Sequence, residues 1–130
     1  RPALKSGLCT EFYKSGKRKC GTKFLEGLAA GSVKFYYEDG AKAMEGFMKD
    51  GRREGRFTEW HPDGNLKIEA NYKDGALDGV WTEYYDSEGS PKMIKTTYKE
   101  GLPVHYYQYA ISGALKLQWT LAPPPPPRQP

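Results

Sequence analysis

The sequence predicts an all-β fold: a single-layer antiparallel β-meander, built as a repeat solenoid of about five 24-residue β-hairpins. A corner in which an acidic or polar residue precedes glycine recurs after aromatic runs, as in Tyr36-Tyr37-Glu38-Asp39-Gly40. The glycines of this corner stand 24, 24, 25 and 24 residues apart, at positions 16, 40, 64, 89 and 113. Two further glycine series keep step with it, at positions 27, 51, 75 and 101 and at positions 31, 55 and 79. Three phased series indicate a repeat protein.

Each unit is predicted to run as strand, tight turn at the first glycine, strand, and wider turn at the second glycine. Glycine supplies the positive φ of a compact corner, and Asp-Gly suits a hairpin with a bulge. A period of 24 residues fits two strands and two connections. The fourth unit has one extra residue at each of its two corners, which predicts a local distortion there.

The length of 130 residues leaves room for one repeat domain, over residues 1–120, followed by a proline-rich tail at 121–130. The incomplete fifth unit, 104–120, is predicted to cap the C-terminal end of the solenoid. The run Pro123–Pro127 predicts an extended polyproline segment. It reads either as a stiff tether or, through Pro123, Pro126 and Arg128, as a P-x-x-P-x-R ligand for an SH3 domain.

Composition favours a thin sheet with two wet faces, since hydrophobic residues make up only 38% of the chain while aromatics reach 14%. The net charge of +4 is mild and spread through every repeat. We expect no nucleic-acid binding, because acids alternate with the aromatics that would have to line a basic groove. A weak attraction to anionic lipid headgroups stays open. The sequence contains no run of about 18 apolar residues that would predict a spanning helix.

The two cysteines, Cys9 and Cys20, fall in the first predicted hairpin. If Tyr13 faces Gly16 across the corner, Cys9 lies directly opposite Cys20, and a cross-strand disulfide is sterically reasonable. The alternative is two reduced, partly buried thiols. A disulfide and the Arg1-Pro2 start would both fit an exported, periplasmic protein, although a trimmed chain explains that start equally well and a cytoplasmic location stays open.

Residues with the spacing of a catalytic or metal site are missing from the sequence. His61 and His105 occupy non-equivalent repeat positions, and Glu59 and Glu83 stand one repeat apart, which the repeat itself explains better than acid–base catalysis. No G-x-S-x-G, HExxH, P-loop or dinucleotide-binding pattern occurs. We therefore predict a protein that is not an enzyme and needs no cofactor or metal.

Aromatic residues fall on both faces of the predicted sheet, by the period of two. If Phe57 pairs with Ile68, the apolar residues of the return strands share a face with one aromatic set, which becomes mostly core: Phe35, Tyr37, His61, Trp81 and Tyr85. The other set is then the predicted partner-binding surface: Tyr36, Trp60, Tyr84 and Tyr109. The alternative is that Tyr36, Trp60 and Tyr84 form a ladder that packs only on itself.

The frame of the third unit resembles the MORN-variant repeat. The residues that carry the resemblance are Phe57-Thr58-Glu59-Trp60-His61-Pro62-Asp63-Gly64, then Tyr72-Lys73-Asp74-Gly75 and Gly79, and similar frames extend it over roughly residues 8–120. Bacterial proteins of this kind are long β-meanders, and many are labelled YwqK-type antitoxins or immunity proteins against secreted antibacterial toxins, including phospholipase effectors of type VI secretion.

This resemblance implies a non-catalytic inhibitor that occludes the active cleft of a cognate toxin with its aromatic face or an acidic hairpin corner. It implies no catalytic residue. The alternative function is a scaffold or membrane-surface module in which Lys42, Lys67 and Lys92 hold anionic lipid. The sequence leaves the toxin and the oligomeric state open.

Overall fold

A computed structural model describes residues 7–121 of the chain, and these residues form one open antiparallel β-sheet without a helix. Its 12 strands confirm the predicted β-meander. The sheet order is β1-β2-β3-β4-β6-β7-β9-β10-β11-β12, with the short β5 and β8 paired beside β4 and β7. Residues 122–130 lie outside the described part, and with them the predicted polyproline segment. The strands are β1 (Gly7–Phe12), β2 (Arg18–Leu25), β3 (Leu28–Tyr36), β4 (Lys42–Lys49), β5 (Arg52–Arg53), β6 (Gly55–Trp60), β7 (Leu66–Lys73), β8 (Ala76–Leu77), β9 (Gly79–Tyr84), β10 (Lys92–Lys99), β11 (Leu102–Tyr109) and β12 (Leu115–Thr120).

The first corner of each unit is the wider of its two connections. Between β3 and β4, the Tyr37 N–H donates to the Ala41 carbonyl (2.8 Å) and the Gly40 N–H donates to the Tyr37 carbonyl (2.9 Å). Gly40 adopts a φ of 94°, and Asp39 Oδ1 accepts a hydrogen bond from the Ala41 N–H (2.9 Å). This bulged corner needs Asp for its side-chain acceptor and Gly for its positive φ.

The second corner is a two-residue turn, so the predicted order of tight and wider turns was wrong. Lys49 pairs directly with Arg52, and both residues between them have positive φ, 51° at Asp50 and 78° at Gly51. Two successive residues of positive φ define the type I′ turn, for which Asp-Gly is a preferred sequence. The same turn recurs at Glu26-Gly27, Asp74-Gly75 and Glu100-Gly101.

The fourth unit takes up its additional residues in one corner rather than two. Its wide corner closes with a hydrogen bond from the Tyr85 N–H to the Pro91 carbonyl (2.9 Å), whereas Glu100-Gly101 keeps the two-residue form. Ser90 in the long corner has a φ of 46°, and its hydroxyl accepts from the Leu66 N–H of the preceding unit (3.2 Å). The predicted distortion is therefore confined to the wide corner.

The cysteines are not joined by a disulfide, because the first hairpin has a different register from the one predicted. Cys9 pairs with Thr22, and Cys20 pairs with Glu11. The wide corner spans Tyr13 to Lys17 instead of placing Tyr13 opposite Gly16, and this moves the two thiols out of opposition. Burial raises the pKa of the Cys20 thiol, and its hydrogen bond with Glu11 adds to the rise.

Most of the thin core is one row of side chains that crosses the whole sheet, and from Gly46 to Tyr106 this row alternates small and large residues. Gly46 has the ring of Phe57 directly over it, since a Cβ on Gly46 would lie 2.3 Å from that ring. Ala70 (1% exposed) stands between Phe57 and Trp81 in the same way. A single layer can bury side chains only where a large neighbour leans over a small one. The row consists of Cys9, Thr22, Val33, Gly46, Phe57, Ala70, Trp81, Thr96, Tyr106 and Trp119.

The pairing of Phe57 with Ile68, on which the face assignment was conditional, is wrong, and the assignment holds for Ile68 but not for Leu66, which pairs with Trp60 on the other face. Phe57 pairs with Ala70, and Ile68 pairs with Glu59. Because this offset is two residues, Ile68 remains on the same face as Phe57. We call this face, which carries the core row, the apolar face.

Three tyrosine hydroxyls and one histidine ring tie each unit to the next at the wide corners. The first residue of the corner reaches the backbone carbonyl at the end of the next unit's outgoing strand. Tyr13 donates to the Tyr36 carbonyl (2.6 Å), and Tyr85 donates to the Tyr109 carbonyl (2.8 Å). Between them, Tyr37 donates to the Trp60 carbonyl (2.5 Å), and His61 Nε2 lies 3.4 Å from the Tyr84 carbonyl oxygen. We call these contacts the hydroxyl ladder.

Backbone hydrogen bonds tie the units together at the opposite end of the strands. The N–H groups of Gly51, Gly75 and Gly101 donate to the carbonyls of Ala29, Arg53 and Leu77, at 2.8, 3.0 and 2.8 Å. Each two-residue turn is thus hydrogen-bonded to the preceding unit, at the residues that directly follow that unit's own two-residue turn. This support matters most at the central junctions, where β4 meets β6 only through Met44↔Glu59 and Glu45↔Thr58 and β7 meets β9 through two pairs.

The fifth unit, which was predicted to cap the C-terminal end, closes the sheet with a strand that is exposed throughout. Every residue of β12 is exposed, and Leu115 and Leu117 are about half exposed. Trp119 covers Tyr106 by stacking on it, with ring centroids 5.5 Å apart. Within residues 7–121, no strand pairs with the outer edge of β1 or of β12.

The hydroxyl ladder predicts the effect of removing one hydroxyl. We expect Tyr37→Phe to lower the free energy of unfolding by about 1 kcal/mol, because the part-buried Trp60 carbonyl loses its donor. Urea unfolding would measure this change. Tyr106→Phe is the control, since the Tyr106 ring stacks on Trp119 and its hydroxyl donates no hydrogen bond within the described residues. Equal stability losses in the two variants would contradict a structural role for the ladder.

Candidate partner-binding face

The structure places the four predicted partner-binding residues on one face, opposite the apolar face. Tyr36, Trp60, Tyr84 and Tyr109 are the last residues of β3, β6, β9 and β11. Paired residues share a face, and a continuous row of pairs runs between these strands one position away: Lys34, Glu45, Thr58, Glu69, Thr82, Lys95 and Tyr107. Each of the four aromatics lies two residues beyond a member of that row and is partly exposed. Whether a partner contacts them stays a prediction.

Basic residues alternate with these aromatics across the strands. The Arg18 guanidinium carbon lies 5.5 Å from the centre of the Tyr36 ring, and Lys42 Nζ lies 5.9 Å from the centre of the Trp60 ring. Lys42 is also paired in register with Tyr36, and Lys92 with Tyr84. These distances are those of cation–π contacts. We call the sequence of residues the aromatic–cation row: Phe12, Arg18, Tyr36, Lys42, Trp60, Leu66, Tyr84, Lys92 and Tyr109.

Bases are concentrated on one face of the sheet, whereas Arg53 lies over the Phe57 and Tyr72 rings of the apolar face. The strand positions on the side of the aromatic–cation row hold a set of bases, and we call this side the basic face: Arg18, Lys23, Lys34, Lys42, Arg56, Lys92 and Lys95. On the basic face, the strands from β2 to β10 carry two carboxylates, Glu45 and Glu69. The strand glutamates of the apolar face are Glu11, Glu59 and Glu83.

Both carboxylates of the basic face have basic partners. Lys42 Nζ lies 3.0 Å from Glu45 Oε2, an ion pair without hydrogen-bond alignment. Glu69 contacts Arg56 through one oxygen and accepts the Tyr84 hydroxyl through the other. Arg18, Lys23, Lys34, Lys92 and Lys95 make no ion pair with any residue that the structure describes.

The alternation of acids with aromatics, on which we based the prediction against nucleic acid, has a different meaning in the folded sheet. Glu59 precedes Trp60 and Glu83 precedes Tyr84, but neighbouring residues of a strand point to opposite faces. Glu59 and Glu83 therefore lie on the apolar face with the core row, whereas Trp60 and Tyr84 lie on the other face among basic residues. Applying the period of two to the charged residues as well as to the aromatics would have shown this separation from the sequence.

The aromatics of the apolar face are largely engaged within the fold. Tyr37 and Tyr85 donate to the hydroxyl ladder, and Trp81 Nε1 donates to Glu83 Oε1 (3.0 Å). Burial raises the pKa of Tyr37, and Glu59 and Asp63 add to the rise, so that the hydroxyl remains protonated and able to donate. The two tyrosines hold neighbouring repeats together, and the Trp81 N–H is hydrogen-bonded within its own strand.

The three lysines proposed to hold lipid do not share a face. Lys42 and Lys92 stand in the aromatic–cation row, whereas Lys67 is the extra residue of a bulge and lines a shallow depression with Phe35 and Met44. Leu66, not Lys67, takes the position equivalent to Lys42. Among the residues that the structure describes, no cluster of His, Cys, Asp and Glu could hold a metal ion, and no helix could cross a membrane.

Acidic side chains stand at the wide corners, just beyond the ends of the strands that carry the aromatic–cation row. The exposed carboxylates are Glu38, Asp39, Asp63, Asp86 and Glu88, and we call them the acidic rim. The Asn65 amide donates to Asp86 Oδ1 (3.1 Å) and to Asp63 Oδ2 (3.2 Å). The hydrogen bond from Asn65 lowers the pKa of Asp86, Asp63 lowers it further, and His61, whose Nδ1 lies 4.0 Å from the carboxylate, has a smaller effect in the same direction.

This bridge predicts a pH effect. We expect Asn65→Ala to raise the pKa of Asp86 toward its ordinary value of 3.8, because the largest cause of the shift is removed. A carboxyl group with a lowered folded pKa stabilises the fold above its unfolded pKa, and this contribution disappears as the pH falls through the folded pKa. The stability difference between wild type and Asn65→Ala should therefore shrink in acid.

Carboxyl carbon NMR titration would measure the pKa of Asp86 in both proteins. Asn71→Ala is a suitable control, since the Asn71 amide donates to the Val80 carbonyl (3.0 Å) and not to the rim. An unchanged Asp86 titration in Asn65→Ala would contradict the bridge.

Comparison with known proteins agrees with the repeat that the sequence resembles. Residues 53–74 match the MORN repeat variant. No curated protein matches the chain. The matched segment runs from the end of β5 through β6 and β7 to the next two-residue turn, and the hairpins on either side repeat its two corners. The chain thus carries a MORN repeat variant at its centre, within a meander of like hairpins.

Proposed function

We propose that this protein is a non-catalytic, protein-binding repeat module that binds its partner with the basic face. The observation that carries the proposal is the difference between the two faces of the sheet: one packs within the fold, and the other carries exposed aromatic and basic side chains. The apolar face holds the core row, and the hydroxyls of Tyr37 and Tyr85 and the Trp81 indole N–H are hydrogen-bonded within the fold. The basic face holds partly exposed Tyr and Trp side chains among bases, a composition typical of binding surfaces.

The biological role that fits best is that of an immunity or antitoxin protein for a secreted antibacterial toxin, such as a phospholipase-type effector of type VI secretion. The support is the resemblance to MORN-variant proteins of this kind, together with an extended surface that carries no catalytic constellation in the described residues. Inhibition would need only rigid docking over the toxin's active cleft. The ties between repeats at both ends of the strands supply that rigidity, because each hairpin is held to its neighbours.

A scaffold on an anionic membrane is the second candidate, and the bases of the basic face favour it. Lys42 and Lys92 would face the headgroups together, but Lys67 would not, because it lies on the apolar face. The carboxylates of the acidic rim, which stand beside the aromatic–cation row, would be repelled by an extended anionic membrane. These two features make a protein partner the better proposal.

The test is inhibition of the enzyme encoded beside this protein's gene. We expect the wild-type protein to bind that enzyme and abolish its activity at a stoichiometric ratio. The double variant Trp60→Ala/Tyr84→Ala should bind about 30-fold more weakly, since two aromatic anchors are lost. Titration calorimetry would give Kd, and an activity assay would give inhibition.

The matched control is Trp119→Ala/Tyr106→Ala, which removes a Trp and a Tyr from the apolar face, where the two rings stack. Circular dichroism would confirm that both double variants keep the β-sheet. The proposal fails if the wild-type protein neither binds nor inhibits the neighbouring enzyme. An equal loss of binding in the control variant would contradict the assignment of the face.

A further inference from the structure

Building on the proposed function, we infer that the partner presents a compact, carboxylate-rich protein surface to the basic face. The bases on this face extend beyond what the fold itself needs. Glu45 and Glu69 engage Lys42 and Arg56, while Lys34 and Lys95 stand in the central row and make no ion pair with the described residues. Carboxylates of a partner would supply the missing counter-charges.

The extent of the face fits a protein interface. Lys34 on β3 and Lys95 on β10 are separated by five strand-to-strand steps, about 24 Å at about 4.8 Å per step. Ten strands in sequence give a sheet about 48 Å long, and strands of six residues are about 20 Å long. The resulting area is close to the roughly 800 Å² that each partner contributes to a standard protein interface.

The aromatic rings are arranged for contact with a protein rather than for stacking on nucleobases. A nucleobase needs the open face of a ring. Arg18 lies over Tyr36 and Lys42 lies over Trp60, so cations cover ring faces that a base would use. The Tyr84 hydroxyl is held by Glu69, and Glu45 and Glu69 interrupt the track of positive charge that a phosphate backbone would follow.

The acidic rim limits the shape of the partner. Its carboxylates stand at the ends of the strands that carry Tyr36, Trp60 and Tyr84, next to the aromatic–cation row. A flat anionic membrane would cover both the bases and this rim, and the rim would repel it. A protein patch of limited size places its carboxylates over the bases and ends, or turns basic, at the rim. The charges therefore favour a bounded acidic surface of a folded partner.

The experiment measures binding of three anionic probes to the whole protein: labelled poly-L-glutamate, a labelled 20-nucleotide oligodeoxythymidine, and phosphatidylserine-containing vesicles. The test variant is Lys34→Gln/Lys95→Gln, which neutralises two bases of the basic face. The matched control is Lys19→Gln/Lys67→Gln, which neutralises two exposed bases beside the apolar face, since Lys19 lies near the Tyr13 ring and Lys67 beside Phe35. Both variants lower the net charge from +4 by the same amount.

We expect poly-L-glutamate to bind more tightly than the other two probes and to lose affinity as salt rises. The test variant should bind it about tenfold more weakly, and the control should stay within about twofold of wild type. Equal losses in the two variants would overturn the inference, because net charge alone would then explain binding. Tighter binding of the oligonucleotide or of the vesicles would overturn it in favour of that partner.

The inference and the proposed function can fail separately. If the neighbouring enzyme is inhibited equally by wild type and by Lys34→Gln/Lys95→Gln, the inhibitory role stands and the acidic contact falls. If poly-L-glutamate binding is specific to the basic face but the neighbouring enzyme is not bound, the acidic contact stands and the inhibitory role falls.

Discussion

The structure depends on the hydrogen bonds that join each repeat to the next. A single sheet has no second layer to pack against, and its buried hydrophobic side chains among the described residues are Cys20, Val33, Phe57 and Ala70. The hydroxyl ladder at the wide corners and the backbone bonds at the two-residue turns hold the hairpins together at both ends of the strands. These contacts recur with the repeat period because each uses one side chain or one turn per unit. The result is a stiff ribbon stabilised by neighbours rather than by a deep core.

The demands of that ribbon explain why the two faces of the sheet differ in composition. The core row and the tyrosine hydroxyls of the ladder occupy the apolar face, where large side chains cover small ones such as Gly46. Alternation along the strand places the remaining aromatics on the other side, where the bases also stand. Arg18 and Lys42 lie against Tyr36 and Trp60, which keeps those rings partly exposed without a continuous apolar patch.

The sequence predicted the period, the meander and the two aromatic sets, because glycine spacing and strand alternation are local signals. It did not predict details that depend on register. The wide corner spans Tyr13 to Lys17, and this longer connection separated Cys9 from Cys20. Lys67 was grouped with Lys42 by spacing alone, but the bulge beside Leu66 sends it to the opposite face. A bulge recurs beside the wide corner of every unit and shifts the face by one residue, so its position became visible only when the strand pairs were known.

The central claim is that the apolar face packs within the fold and that the basic face contacts a partner. The three tryptophans test it directly, since Trp60 lies on the basic face and Trp81 and Trp119 lie on the apolar face. The measurement is a ¹⁵N NMR spectrum of the indole N–H groups during titration with the bound partner or with poly-L-glutamate. A shift of the Trp60 signal, with those of Trp81 and Trp119 unchanged, is the predicted result. Shifts of Trp81 or Trp119 without a shift of Trp60 would contradict it.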